Sequence, residues 1–130
     1  MNETIRWGIL GTGRISRAFA EGLKFASNGS LHAVASRTKT NAELFAEEWG
    51  VPRAFENYQG LAESGEIDAV YIATPHTQHA ENSILCMKNG KSVLCEKPFA
   101  VNSAEVEKMI AQAKESNALL MEGMWSRFPP

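Results

Sequence analysis

The stretch Ile5-Arg6-Trp7-Gly8-Ile9-Leu10-Gly11-Thr12-Gly13-Arg14-Ile15-Ser16 decides the fold, because it joins an apolar run to a glycine-rich turn and then to a helical pattern. Ile5 to Leu10 is nearly continuous in apolar residues, as expected of a parallel strand covered on both faces. Behind the turn, Ile15, Ala18, Phe19, Gly22, Leu23 and Ala26 recur at helical spacing, with Arg17, Glu21 and Lys24 on the other side. Such a turn can hold a pyrophosphate against a helix N-terminus, where free N–H groups and the positive end of the helix dipole converge on an anion. Two glycines also make an ordinary tight connection, so the surrounding chain must decide.

Outward from that stretch the pattern repeats. Residues 31–36 read as a second strand after the stop signal Asn28-Gly29-Ser30. Thr40-Asn41-Ala42-Glu43 has the form of a capping box and opens a helix with the stripe Ala42, Phe45, Ala46 and Trp49, ended by Gly50 and Pro52. A short edge strand at 54–56 and a short helix at 57–64 follow. Residues 67–73 are strongly β-forming, 77–89 helical and closed by Gly90, and 91–95 again a strand. Asn102 caps a helix whose Val106, Met109, Ile110 and Ala113 are expected to face inward, and 118–121 is the last strand. Strands alternating with helices over short connections predict βαβ units, hence a parallel sheet with helices on both faces.

At 130 residues and a net charge of −2, the chain is one domain in size and carries no basic field for nucleic acid or anionic lipid. No apolar run approaches the ~20 residues of a membrane span and the N-terminus lacks a leader pattern, so a cytoplasmic protein acting on a small molecule is expected. Cys86 and Cys95 read as small buried residues. His76 and His79, three apart, could share a helical face, but no third ligand stands nearby and no metal is expected.

Ligands of such sheets bind beyond the carboxyl ends of the strands. Those ends carry the Gly11 turn, Ser36-Arg37, Thr74-Pro75-His76, Cys95-Glu96-Lys97-Pro98 and Glu122-Gly123. About twenty residues past the glycine turn an acidic residue would bind the adenosine ribose of NAD, but the sequence there is Ser36-Arg37-Thr38-Lys39. A guanidinium at Arg37 suits a 2′-phosphate, so NADP is expected, with NAD the alternative.

Ile72-Ala-Thr-Pro-His-Thr-Gln-His79 followed by Asn89-Gly-Lys-Ser-Val-Leu-Cys-Glu-Lys-Pro98 resembles the N-terminal half of the glucose-fructose oxidoreductase and inositol dehydrogenase (Gfo/Idh/MocA) family. Met121 to Phe128 is similar to its dihydrodiol dehydrogenase and NADP-linked aldose dehydrogenase branch. The resemblance implies a doubly wound parallel α/β sheet of Rossmann type in which Gly11, Thr12, Gly13 and the amides of Arg14 and Ile15 hold the pyrophosphate. It implies that Ser36 and Arg37 take the 2′-phosphate, and that Thr74, Pro75 and His76 line the nicotinamide half. Lys97 would be the catalytic lysine with Glu96 beside it, and Trp125 and Arg127 would border nicotinamide and substrate. A fixed ammonium can donate to a substrate hydroxyl or the nicotinamide ribose while hydride moves.

Family members continue into a second α/β domain with the substrate pocket and the dimer interface. Residues 1–123 are therefore expected to be the dinucleotide domain and 124–130 the start of the connection to a substrate domain. The expected function is cofactor binding without turnover, as half of a homo-oligomeric dehydrogenase of sugars or trans-dihydrodiols. The other reading is a non-catalytic dinucleotide-binding sensor or interaction module.

Overall fold

The computed structural model describes residues 4–97 and 99–123. Six parallel strands, β1 (Ile5–Leu10), β2 (Gly29–Ala35), β3 (Arg53–Phe55), β4 (Ala69–Ile72), β5 (Ser92–Cys95) and β6 (Leu120–Glu122), form one sheet in the order β3-β2-β1-β4-β5-β6. Between them run α1 (Arg14–Leu23), α2 (Lys39–Trp49), α3 (Tyr58–Ala62), α4 (His79–Lys88, entered through a 3₁₀ turn at His76–Gln78) and α5 (Ser103–Ser116). Strand order reverses between β1 and β4, so the crossovers from these two strands leave on opposite sides and open a crevice above them.

Alternate strand residues feed two cores, because successive side chains of a strand point to opposite faces. Ile9, Val34 and Tyr71 pack with Phe19 and Ala20 of α1 and Phe45 of α2. Leu10, Ala33, Ala35, Val70 and Ile72 pack on the other face with Leu61 of α3, Met87 of α4 and Met109 of α5.

Three helix details depart from the sequence reading. Helix α1 buries Ser16, Phe19 and Ala20, while Ile15 is 39 % exposed and Ala18, Gly22 and Ala26 face outward. The helix phase follows Phe19, which stacks on Tyr71 at 4.1 Å and meets Trp7 edge-on at 5.2 Å. Helix α2 starts before the expected box: Thr38 is its cap, accepting the Asn41 N–H at 3.3 Å. In α5 only Met109 is fully buried, and Ile110 is 44 % exposed. The Asn102 cap is made as expected, accepting from Glu105 N at 2.9 Å, and the Glu105 carboxylate accepts from Val101 N at 2.9 Å.

Candidate functional site

The sheet ladder continues one residue past the strands and sets their ends side by side. Gly11 N donates to Ala35 O at 2.9 Å, Ala73 N to Leu10 O at 2.9 Å, Glu96 N to Ile72 O at 3.0 Å and Gly123 N to Cys95 O at 2.6 Å. Over the β2–β1–β4 part of this edge lies a cleft of about 360 Å³. Gly11, Thr12 and Gly13 form its floor, Ser36 and Arg37 one wall, and Ala73, Thr74 and Pro75 the other.

The two glycines do different work. Gly11 has φ +106°, and a Cβ there would lie 2.8 Å from the Ala73 carbonyl oxygen, so the close approach of β1 to β4 excludes any side chain. Gly13 has an ordinary extended backbone (φ −83°) and no protein atom within 4 Å of its Cβ position. Its lack of a side chain serves the open space rather than the fold. Gly13 is also the N-cap of α1 and supplies no side-chain acceptor, whereas Thr38, Asn57 and Asn102 cap α2, α3 and α5. The first amides of α1 thus meet the cleft without a side-chain partner from the cap, which is the arrangement that receives a pyrophosphate.

Thr74 is held from behind. The Nε2–H of His79 donates to its carbonyl at 2.8 Å, and the Asn82 amide donates to its Oγ1 at 2.8 Å, all three residues being buried. Since Oγ1 accepts from Asn82, the Thr74 hydroxyl hydrogen must be given elsewhere. His79 is thus hydrogen-bonded at the start of α4, while His76 is exposed. Among the described residues no three His, Cys, Asp or Glu side chains form a metal cluster.

At the far end of the same edge, Glu96 is half-buried and accepts a hydrogen bond from the hydroxyl of Tyr71. Lys97 follows it and is exposed. Pro98, Trp125 and Arg127 lie outside the described residues. Cys86 and Cys95 are buried thiols with pKa values pushed up to about 12, in each case chiefly by burial.

The sequence reading missed Asn41 and Tyr58, both of which line the cleft beside Arg37. Burial pushes the Tyr58 phenol above its ordinary pKa, and the Arg37 guanidinium pulls it back. Nothing local marked them: Asn41 sits in the first turn of α2 and Tyr58 opens α3, and only the β2–β3 pairing brings α3 to the end of β2.

A family model described as an oxidoreductase family with an NAD-binding Rossmann fold matches residues 5–124. The chain belongs to the Gfo/Idh/MocA oxidoreductase family. Relatives of this Gfo/Idh/MocA domain include trans-1,2-dihydrobenzene-1,2-diol dehydrogenases, 43 % identical in Mus musculus and 41 % in Homo sapiens, each over 97 % of this chain. It spans 38 % of the length of either relative. Among solved structures, a 3-ketoreductase from Actinomadura kijaniata in complex with NADP is 34 % identical with a TM-score of 0.88, over 93 % of this chain and 37 % of that one. A scyllo-inositol dehydrogenase from Lactobacillus casei is 26 % identical with a TM-score of 0.90, over 99 % and 39 %. Among the described residues no helix is long and apolar enough to cross a membrane.

Proposed function

We propose that this chain is the NADP-binding part of a dehydrogenase that moves a hydride between a nicotinamide cofactor and a sugar or trans-dihydrodiol hydroxyl. One observation carries the reading: the uncapped start of α1, the side-chain-free space at Gly13 and the Arg37 guanidinium share one cleft. Gly11, Thr12, Gly13 and the amides of Arg14 and Ile15 would hold the pyrophosphate. Ser36 and Arg37, with Tyr58 and Asn41 alongside, would take the adenosine 2′-phosphate. Thr74, oriented by His79 and Asn82, and Pro75 would flank the nicotinamide half together with His76 and Glu96.

Hydride transfer is the chemistry that a bound nicotinamide supplies. The protein's share is to orient reactants and to place a proton donor. Lys97, directly after Glu96 at the β5 end, is the catalytic lysine in this reading, its ammonium donating to the substrate hydroxyl or carbonyl oxygen. The substrate pocket and its acid/base partner belong to a further domain reached through residues 124–130, so the chain alone binds cofactor without turnover. The names of the dihydrodiol dehydrogenase relatives and the NADP complex of the ketoreductase support the substrate class and cofactor. A cytoplasmic, homo-oligomeric full-length enzyme completes the proposal.

Parallel fluorescence titrations with NADPH and NADH test the cofactor assignment. Arg37→Ala should weaken NADPH binding by about 1.5 to 3 kcal/mol, the range for a hydrogen bond to a charged group, and leave NADH nearly unchanged. Equal losses for both cofactors would refute it.

A further inference from the structure

We infer that Tyr71 is a positioning residue for the nicotinamide end of the cleft, acting through the Glu96 carboxylate. The inference rests on the cofactor reading above and adds to it a residue with no exposure of its own. Tyr71 belongs to β4, the strand beside β1 at the reversal of strand order, and is fully buried. Its ring lies parallel to that of Phe19, 4.1 Å between centroids and 4° between planes. A phenol so placed could have been a phenylalanine for packing alone, and its hydroxyl brings the obligation to find a partner. The partner is Glu96 Oε2, just beyond the end of β5.

Three contacts define where that carboxylate sits. The Glu96 N–H is tied to Ile72 O at 3.0 Å, which fixes the backbone against the end of β4. The Tyr71 hydroxyl donates to Oε2. From the β6 side, Gly123 comes so near that a Cβ there would lie 2.9 Å from Oε2. An ionised carboxylate has about four acceptor positions, and one phenol takes a single one. The remaining capacity suits neutral hydroxyl donors such as those of a ribose, at an orientation that the phenol and the glycine set from below. Glu96 and Lys97 are consecutive, so the same contacts hold the segment from which the lysine projects.

Tyr71→Phe keeps the ring and its stacking and removes only the hydroxyl. Two ligands separate positioning from packing: NADPH, and adenosine 2′,5′-bisphosphate, which carries the 2′-phosphate end without the nicotinamide riboside. Tyr71→Phe is expected to weaken NADPH about five- to tenfold and to change the bisphosphate less than about twofold. In a Glu96→Ala background the same substitution should cause no further loss. Gly123→Ala gives an independent route, since its methyl group would displace the flexible carboxylate rather than backbone, and it should show the same selective loss of NADPH. Equal losses for both ligands, unchanged NADPH affinity in either variant, or an undiminished Tyr71→Phe effect without Glu96 would each overturn the inference. A wild-type chain that bound neither ligand would instead remove the cofactor reading, and this inference with it.

Discussion

Gly11→Ala and Gly13→Ala should have opposite consequences, although the two glycines are separated by one residue in one motif. At Gly11 the backbone has φ +106° and the new Cβ would stand 2.8 Å from Ala73 O and 3.0 Å from Ala73 C. A side chain in a sparsely populated backbone region costs about 1–3 kcal/mol. Overpacking against atoms that cannot rotate away adds about 1–3 kcal/mol. The sum, about 2–6 kcal/mol, is a large share of the 5–15 kcal/mol typical of a domain. At Gly13 the methyl group meets no protein atom within 4 Å. Alanine is a poorer N-cap than glycine by about 0.5 kcal/mol, and its stiffer unfolded chain returns about 0.4–1 kcal/mol, so stability should change by less than about 1 kcal/mol. Urea unfolding and NADPH titration of both variants give the assay. Gly11→Ala should shift the unfolding midpoint strongly downward. Gly13→Ala should unfold like the wild type and lose cofactor affinity, because its methyl group would occupy the open space proposed for the pyrophosphate. A Gly13→Ala chain that unfolds as early as Gly11→Ala, or that binds NADPH unchanged, would refute this division of labour.

Other expectations follow from the same geometry. In the full-length enzyme Lys97→Met should abolish turnover while cofactor binding persists, checked by steady-state rates beside a titration; intact turnover would end the catalytic assignment. Asp68 accepts from Arg6 Nε at 3.1 Å and NH2 at 2.9 Å, and that pairing holds its carboxyl below the usual carboxylate range. A carboxyl whose folded pKa is depressed contributes stability above its unfolded pKa and loses it as pH falls through the folded one. Thermal melts of Asp68→Asn should therefore differ from wild type at neutral pH and converge with it in acid. The Cys86 and Cys95 thiols, raised from 9.0 to about 12, should resist a thiol-specific chromophoric reagent at pH 8 in the native state and react once the chain is unfolded. Their burial also makes stability decline as pH rises above about 9.

The alternation of strands and helices was legible because strand runs such as Ile5 to Leu10 and helix stops such as Gly50 are local signals. Strand order was not, since nothing in β1 alone says that its neighbours are β2 and β4. Helix phase was legible only to within a residue. Ile15 and Ser16 are both compatible with the stripe that contains Phe19, and the stacking of Phe19 on Tyr71 settles which one turns inward. The cap of α2 was misplaced for a related reason: Thr38 and Thr40 both offer a hydroxyl, and the end of β2 at Ala35 sets which comes first. At the site, residues adjacent to strand ends could be listed in advance. Asn41 and Tyr58 could not, because they reach the cleft from helices, and the Tyr71 hydroxyl could not, because a tyrosine in a buried strand looks like core.

The cleft also has a bearing on how the chain reaches its native state. Its walls come from residues 11–13, 36–38, Asn41, Tyr58 and 73–75, and they meet only after β1 has paired with β4 through Trp7↔Ala69 to Leu10↔Ile72. Parallel pairings over such separations place a topology among the slower folders, since loop closure is spent before contacts reward it. A dinucleotide at a hundred times its dissociation constant would add about 2.7 kcal/mol to the native state and nothing to chains whose central seam is still open. Cellular cofactor would then act as a retention signal, sparing completed molecules from proteolysis while leaving half-zipped ones exposed to it.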